Sequence, residues 1–423
     1  MEISNVNNEK GILFLSPFDF VEKGIQVILK TPSYYAENGW RVFFIVVRDT
    51  SAHGSYYYEN LITPKTFQTI RYEMFESKLL NKIFQGQLLK TIYSKLRNYL
   101  AIVQLVTHGA KCLRSNKDIK VLYGYGPVGT LASYILKLLF PGRSLKVISR
   151  YFGITGTDSL LASFFKRLLN WDILLSLSLS VDACIITNDG TQGDKLLQAL
   201  FPSRVSKLHF WVNGVEERPA KNEDECQKII EKYSLKNKKI VLSVSRLAYW
   251  KRVDRSIQVI SAIVKKHPET ALRLLILGDG ADKERLVQIA RDLGVEEYII
   301  FAGAVSNKEI SSFYGLSDFF ISTYDLSNVG NPLLEAIRFN KIIFTLNNGD
   351  TSRWIKHKIN GFIYNIDENF ISRMAEDLYS TSVENHIIDS IQPEIINTEK
   401  NMLWTWDERL KTELSLANSL IGK

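Results

Sequence analysis

Cysteine is scarce in this chain. Three residues, Cys112, Cys184 and Cys226, lie far apart in a sequence of 423. An odd, scattered set builds neither a disulfide framework nor a zinc site, and it points to a reducing compartment. Long apolar runs are also missing. The nearest approach, WDILLSLSLSVDACII at 171–186, is broken by Asp172, Asp182 and serines at 176, 178 and 180. It is short for a bilayer span, so no transmembrane helix is expected. The first twenty residues, MEISNVNNEKGILFLSPFDF, lack a basic segment followed by a long apolar stretch, so no signal peptide is expected. Acids are nearly absent from 77–157, which holds 13 lysines and arginines against Asp118 alone, a local balance of +12 where the whole chain carries +8. Such asymmetry suits an anionic partner for the N-terminal half: an anionic lipid surface, a phosphorylated acceptor or nucleic acid. No aromatic-basic recognition module is present, so nucleic acid is not expected. What remains is ordinary globular composition, 45% hydrophobic and 23% charged, at a length that fits two domains of about 200 residues each.

The N-terminal half opens with GILFLSPF, a short apolar run that reads as a strand. A helical pattern from Ile25 follows Gly24, Asn38-Gly39 stops it, and RVFFIVV reads as a second buried strand. Strand, helix, strand is a βαβ unit and implies a parallel sheet. Gly24 is either a point of close backbone approach to a phosphate or a plain turn glycine. Residues 53–118 are less regular. Leu and Ile recur there at helical spacing among Lys and Arg, in one helix or two broken near Gly86, basic on one face. That face fits a membrane surface or a solvated helix equally. Gly124, Gly126 and Gly129 spell GxGxxG after a strand, the form of a dinucleotide fingerprint. The fingerprint also needs a ribose-binding acid at the end of the next strand, and none follows LKVIS at 145–149. A glycine-rich turn at a strand's C-terminal end is the better reading.

The C-terminal half alternates strands and helices without interruption. VLSVS, LRLLIL, YIIF, DFFIS and KIIFTL read as buried strands. Between them VDRSIQVISAIVKK and ADKERLVQIARDLG read as helices, Ser306 and Glu309 as a capping box, and Asn331-Pro332 as the N-cap and first residue of LLEAIRF. The tail after Trp404 and Trp406 reads as an amphipathic helix. The expected fold is therefore α/β, two doubly wound Rossmann-like domains facing across a cleft, with ligands at the C-terminal ends of the strands.

Three residues there have matching chemistry. Arg246 and Lys251 share a loop between strand and helix, and a guanidinium fork and an ammonium suit a diphosphate. Glu335 sits just inside a helix start and can hold a sugar's hydroxyls. Each alone is compatible with a solvated loop or a dipole-favoured acid. Together in one α/β domain they suggest a nucleotide-sugar site, where the cations would stabilise charge on the departing nucleotide.

SRLAYWKRVD, LGDG, FAGAV, LSNVGNPLLEA and INGFI, with PFDFVEKGI and VNGVE, resemble the retaining glycosyltransferases of family 4, of GT-B fold. The likeness is strong over 240–365 and loose over 50–210. It implies that Arg246 and Lys251 bind the donor diphosphate and Glu335 its ribose. It implies donor contacts at Gly24, Gly278 and Gly280, at Ala304 and Val305 beside the base, and at Ser327, Asn328, Gly330, Asn331, Leu333 and Leu334. The C-terminal helix is expected to return to the first domain. Two positions depart from the family pattern. Ser327 stands where relatives carry the first of two acids, and Arg150-Tyr151-Phe152-Gly153 follows the strand where relatives often carry a histidine.

The expected activity is transfer of a sugar from a nucleoside-diphosphate sugar to a glycan or lipid-linked glycan, with retention, in cell-surface polysaccharide or glycoconjugate synthesis. A silent transferase-like binding subunit and a nucleotide-sugar epimerase are the alternatives. No clustered set of His or carboxylates offers metal ligands, so no metal or other cofactor is expected. The expected domains are 1–215, joined by 400–423, and 216–399. The expected location is cytoplasmic, peripheral at the inner face of the membrane through 77–157.

Overall fold

The computed structural model describes residues 10–20, 26–49, 61–76, 86–219, 222–306 and 309–422. Gly24, Tyr56–Tyr58 and the start of the basic 77–157 stretch lie outside them. The chain forms two compact units. The first comprises the described residues of Met1–Asn188, Gln192–Trp211 and Asp407–Lys423, the second Asp189–Thr191 and Val212–Trp406.

The first unit is built on a sheet of β1 (Lys10–Ser16), β2 (Trp40–Arg48), β3 (Gln68–Glu73), β4 (Ile119–Tyr125), β5 (Lys146–Tyr151), β6 (Ala183–Thr187) and β7 (Leu208–Trp211), in the order β3-β2-β1-β4-β5-β6-β7. Every pair is parallel. A parallel sheet needs cover on both faces, which is why the central strands read as unbroken apolar runs. On one face Leu105, Leu113, Leu131 and Leu136, from helices Gln87–Ser115 and Gly126–Leu139, enter the core. On the other, Phe14, Phe44, Tyr123 and Tyr125 pack with Ala417 and Leu414 of the helix Trp406–Ile421. The chain thus leaves the first unit, builds the second and returns.

Gly124, Gly126 and Gly129 are not the open turn that the sequence suggests. β4 passes directly into the helix Gly126–Leu139. A Cβ on Gly124 would collide with the backbone of Gly129 and Thr130, and one on Gly129 with the carbonyl oxygen of Leu15. These glycines let the helix seat on the sheet.

The second unit repeats the plan with β8 (Lys239–Val244), β9 (Leu272–Leu277), β10 (Ile299–Gly303), β11 (Phe319–Ser322), β12 (Ile342–Leu346) and β13 (Phe362–Tyr364), ordered β10-β9-β8-β11-β12-β13, again all parallel. In both sheets the order reverses beside the first strand, at β1/β4 and at β8/β11. Such a switch point splays the loops at the strands' C-terminal ends and opens a crevice there. Helices Phe370–Val383 and Asn385–Met402 complete this unit.

A buried polar cluster fastens the returning helix. Arg150, Arg409 and Glu413 are all fully buried. The Glu413 carboxylate accepts from Arg409 at 2.7 Å and from the Tyr123 hydroxyl, while the Tyr35 hydroxyl donates to its main-chain carbonyl at 3.1 Å. Burial and then the Glu413 charge hold the Tyr35, Tyr123 and Tyr125 hydroxyls protonated. Glu413→Ala would take away the counter-charge buried with the two guanidinium groups, and removing one partner of a buried pair costs about 3–5 kcal/mol. Urea unfolding followed through Trp211, whose ring lies 4.5 Å from the Arg409 guanidinium, should show the first unit losing that stability.

Candidate functional site

The C-terminal ends of the second sheet's strands carry most of the residues singled out in sequence, at the switch-point strands β8 and β11 and at β9 and β10 beside them. β8 ends at Val244, and the loop Ser245–Ala248 leads through the turn Tyr249–Lys251 into the helix Val253–Lys266. Arg246 and Lys251 are on this connection. β11 ends at Ser322, and the loop 323–330 leads into the helix Asn331–Arg338, which carries Glu335. β9 is followed by Gly278 and Gly280, and β10 by Ala304 and Val305.

The Arg246 loop is set by backbone contacts. Ser245 N–H donates to the Leu277 carbonyl at 3.0 Å, and Leu247 N–H to that of Asp279 at 2.9 Å. Gly278 and Gly280 have φ of +136° and +155°, which side chains disfavour. A Cβ on either would collide with the carbonyl oxygen of Ser245 or Leu247. These glycines therefore have a packing task, close approach of two loops, beside the donor contact that the resemblance implies. Arg246 is left exposed at the loop's tip.

Lys251 is held differently. Its ammonium lies 3.8 Å from the centre of the Tyr324 ring and 4.1 Å from that of Trp250. Each cation–π contact is worth about 0.5–2 kcal/mol, more as water is excluded. Tyr324 is fixed in turn by its hydroxyl, which donates to the Val244 carbonyl at 2.7 Å. Burial pushes the Lys251 ammonium down to about 8, and the neighbouring Arg246 charge adds to the shift. Next in the chain, Arg252 adopts a left-handed φ of +47° and pairs with Asp254 at 3.0 Å. A left-handed arginine is strained, and strain of this kind collects at functional loops.

The 323–330 loop is pinned at several points. Asp325 pairs with Arg255 at 2.7 Å and Arg252 at 3.5 Å, and its N–H donates to the Trp250 carbonyl. Asn328 is buried, its carbonyl accepting from Tyr324 N–H at 3.0 Å and its amide donating to Asn348 at 2.7 Å. Ser327 donates to the Asp189 carbonyl at 2.8 Å and accepts from Val329 N–H at 3.1 Å. Asp325 is thus committed to its ion pairs, and the position of the missing acid holds a small hydroxyl already bonded to main chain.

The helix start differs by one residue from the sequence expectation. Gly330, in extended conformation, is the N-cap, and Asn331 is the first helical residue. Asn331 accepts a hydrogen bond from Asn213 at 3.0 Å through its side chain, so it does not cap. The Leu333 and Leu334 side chains are in the core. Leu334 N–H donates to Gly330 at 3.1 Å. The first-turn N–H groups of Asn331 and Leu333 are those that helix geometry leaves for a ligand. Burial lifts the Glu335 carboxyl to about 7, and Glu216 adds to the shift against a hydrogen bond from Tyr314. Ala304 and Val305 line a pocket of about 640 Å³ with Tyr233 and Phe313.

Sequence reading missed two groups here. One is the Trp250–Tyr324 cradle, whose members are far apart in the chain. The other is Asp189, within electrostatic reach of Lys251, whose carboxyl burial lifts to about 6 against hydrogen bonds from Thr191. An Asn-Asp-Gly turn gives no sign of either neighbour.

Comparison with known proteins places this geometry. Residues 226–380 match the family model described as "Glycosyl transferases group 1". The chain is 25% identical over 166 residues to an alpha-monoglucosyldiacylglycerol synthase of Streptococcus pneumoniae, covering 39% of this chain and 37% of that protein. It is 31% identical over 131 residues to a GDP-mannose-dependent alpha-(1-6)-phosphatidylinositol monomannoside mannosyltransferase of Mycolicibacterium smegmatis, covering 29% and 34%. The chain thus spans little more than a third of the length of these relatives. Among solved structures, Anabaena HepE in complex with UDP superposes with a TM-score of 0.70 at 14% identity, over 97% of this chain and all of that one. A glycosyltransferase from Rickettsia africae superposes at 0.68 and 16% identity, over 98% and 99%. The protein accordingly has the two-domain GT-B fold, and its 226–380 segment matches the glycosyl transferases group 1 model.

Proposed function

We propose that the protein is a glycosyltransferase that moves a sugar from a nucleoside-diphosphate sugar to a hydroxyl of a glycan or lipid-linked glycan, with retention. One observation carries the reading: two cations follow β8 and a carboxylate follows β11, the two strands of the switch point, within the segment that matches the group 1 model. The names of the S. pneumoniae and M. smegmatis relatives, which carry a glucosylated diacylglycerol and a phosphatidylinositol mannoside, support a glycolipid acceptor.

In this reading Arg246 and Lys251 neutralise the donor's diphosphate, and the Asn331 and Leu333 amides add partial positive charge at the helix start. Glu335 accepts the ribose hydroxyls. Ala304 and Val305 flank the base. The bond from the sugar to the diphosphate breaks as the acceptor oxygen bonds to the same face of the sugar. The acceptor's proton passes to the departing phosphate oxygen. The cations favour this step because negative charge grows on that phosphate in the transition state. No metal has a part in it.

Ser327 favours a second reading, a binding subunit that holds donor without turnover. Its hydroxyl is already bonded to main chain, and it brings no charge to the sugar.

Nucleotide release from a panel of UDP-, GDP- and ADP-sugars, with lipid extract as acceptor, separates the two. Release from one donor is expected, unchanged by a chelator and reduced about a hundredfold or more by Arg246→Ala. Binding without release supports the silent subunit, and binding of no donor overturns both.

The pH dependence is a further expectation. Glu335 titrates near 7 and Lys251 near 8. Ionised Glu335 is the better acceptor for ribose hydroxyls, so affinity for the nucleoside diphosphate should rise as pH approaches about 7. It should fall above about 8 as Lys251 loses its charge. Calorimetric titration should find the maximum between these values, and Glu335→Gln should abolish the acidic limb alone.

A further inference from the structure

Three strongly exposed apolar side chains of the first unit gather on one short helix. Ser163 caps Phe164–Leu169, its hydroxyl accepting from Lys166 N–H at 3.3 Å. Phe164, Phe165 and Leu168 are 78%, 58% and 60% exposed. Arg167 points the other way. Its guanidinium donates to the carbonyls of Leu160 and Leu161 at 2.7 and 2.6 Å and ties the helix to its predecessor, Thr157–Ala162. Arg167 and Leu169 are the half-buried residues of this helix, while both phenylalanines and Leu168 face solvent.

A second apolar surface lies on another helix of the same unit. On the helix Gln87–Ser115, Leu89, Ile92, Leu96, Tyr99 and Val103 are all exposed, and their spacing of three and four puts them in one stripe. Lys95, within this stripe, donates to Asp172 at 2.6 Å, and Asn98 to the same carboxylate at 3.1 Å. Asp172 opens the helix Trp171–Ser178, which directly follows Phe164–Leu169. These bonds fasten the helix that bears the stripe to the helix that follows the exposed phenylalanines in the chain.

Charge decides what covers this surface. Residues 86–180 carry 13 lysines and arginines against Asp118, Asp158 and Asp172. Asp172 is buried under Lys95, so Asp158 is the exposed acid of the helices that carry the patch. Lys166 stands exposed among the phenylalanines. A second copy docked through the same patch would set like charge against like charge, since a two-fold interface pairs a surface with itself. A bilayer with anionic headgroups accepts both features: aromatic and leucine side chains enter the acyl boundary while lysines stay at the phosphates.

We propose that Phe164, Phe165 and Leu168, supported by the Leu96–Tyr99 stripe, dock the first unit on an anionic membrane surface. The helix Phe164–Leu169 lies beyond the 77–157 stretch that sequence charge marks out. It follows β5 at the C-terminal end of the first sheet, the end at which open α/β sheets take their ligands. Docking there would present that end to a lipid-borne acceptor; this last step rests on the proposed glycosyl transfer.

Vesicle flotation of the full chain tests the proposal. The protein should float with vesicles of mixed phosphatidylcholine and phosphatidylglycerol, poorly with phosphatidylcholine alone, and less as salt rises. Phe164→Ser with Phe165→Ser and Leu168→Ser should raise the lipid needed for half-binding at least about tenfold. Lys166→Glu, which keeps the apolar side chains, should weaken binding to anionic vesicles only. Unchanged melting of both variants shows that the fold is intact. The proposal fails if the wild type ignores anionic vesicles, if the triple variant floats equally well, or if sedimentation velocity finds a dimer that the triple variant loses. Thermal shift with nucleotides runs alongside. Absent nucleotide binding with flotation intact would sink the glycosyl-transfer reading and leave the surface standing.

Discussion

The candidate site depends on one close approach of main chain to main chain. Ser245–Leu247 and Gly278–Gly280 lie so near that no Cβ fits between them. Two interstrand-type hydrogen bonds, from Ser245 and Leu247, hold the pair in register beyond the ends of β8 and β9. That contact fixes the Arg246 loop and starts the turn that delivers Lys251. From there Asp325 N–H, bonded to the Trp250 carbonyl, ties in the loop after β11, and Tyr324 closes the ring by reaching back to Val244. A side chain at Gly278 would disturb every later link, because each is built on the position of the one before.

Electrostatics within this frame favours a guest that brings negative charge. Lys251 is desolvated between two rings beside another cation, so its protonated form is costly until an anion arrives. Glu335 is desolvated in the opposite sense and gains when donors reach it. Two of the acids nearby are occupied elsewhere, while Asp189 stays within electrostatic reach of Lys251. Asp325 and Asp254 are paired with Arg255 and Arg252. The charge that is left for a ligand is therefore set by which arginines have taken the local acids.

Sequence made the second unit legible because its strands are buried on both faces and read as short apolar runs between glycine, proline and capping signals. The strands that escaped notice, β3 and β7, are the edges of the first sheet. Their burial is partial, so QTIRYE and LHFW show no clean apolar run. The helix Asn385–Met402 was hidden by Pro393 in its middle, which reads as a breaker. Arg246, Lys251 and Glu335 stood out because their residue types matched a chemistry at motif spacing. The task of Gly278 and Gly280, the commitment of Asp325 and the cradle around Lys251 could not be read, since each depends on which strands become neighbours. The exposed phenylalanines were hidden for another reason: SFFKRLLN looks like core, yet Arg167 takes an inward position while Phe164, Phe165 and Leu168 face solvent.

The returning helix Trp406–Ile421 has a consequence for synthesis on the ribosome. Ala417 and Leu414 complete a core whose other members, Phe14, Phe44 and Tyr123, emerge far earlier. The second unit has all of its strands and helices before residue 406 and is free to close as soon as it is made. The first unit must wait, one face of its sheet bare and Arg150 without the Glu413 charge that accompanies it in the finished protein. Translation order and folding order are thus reversed, and the earliest residues are the last to be sealed.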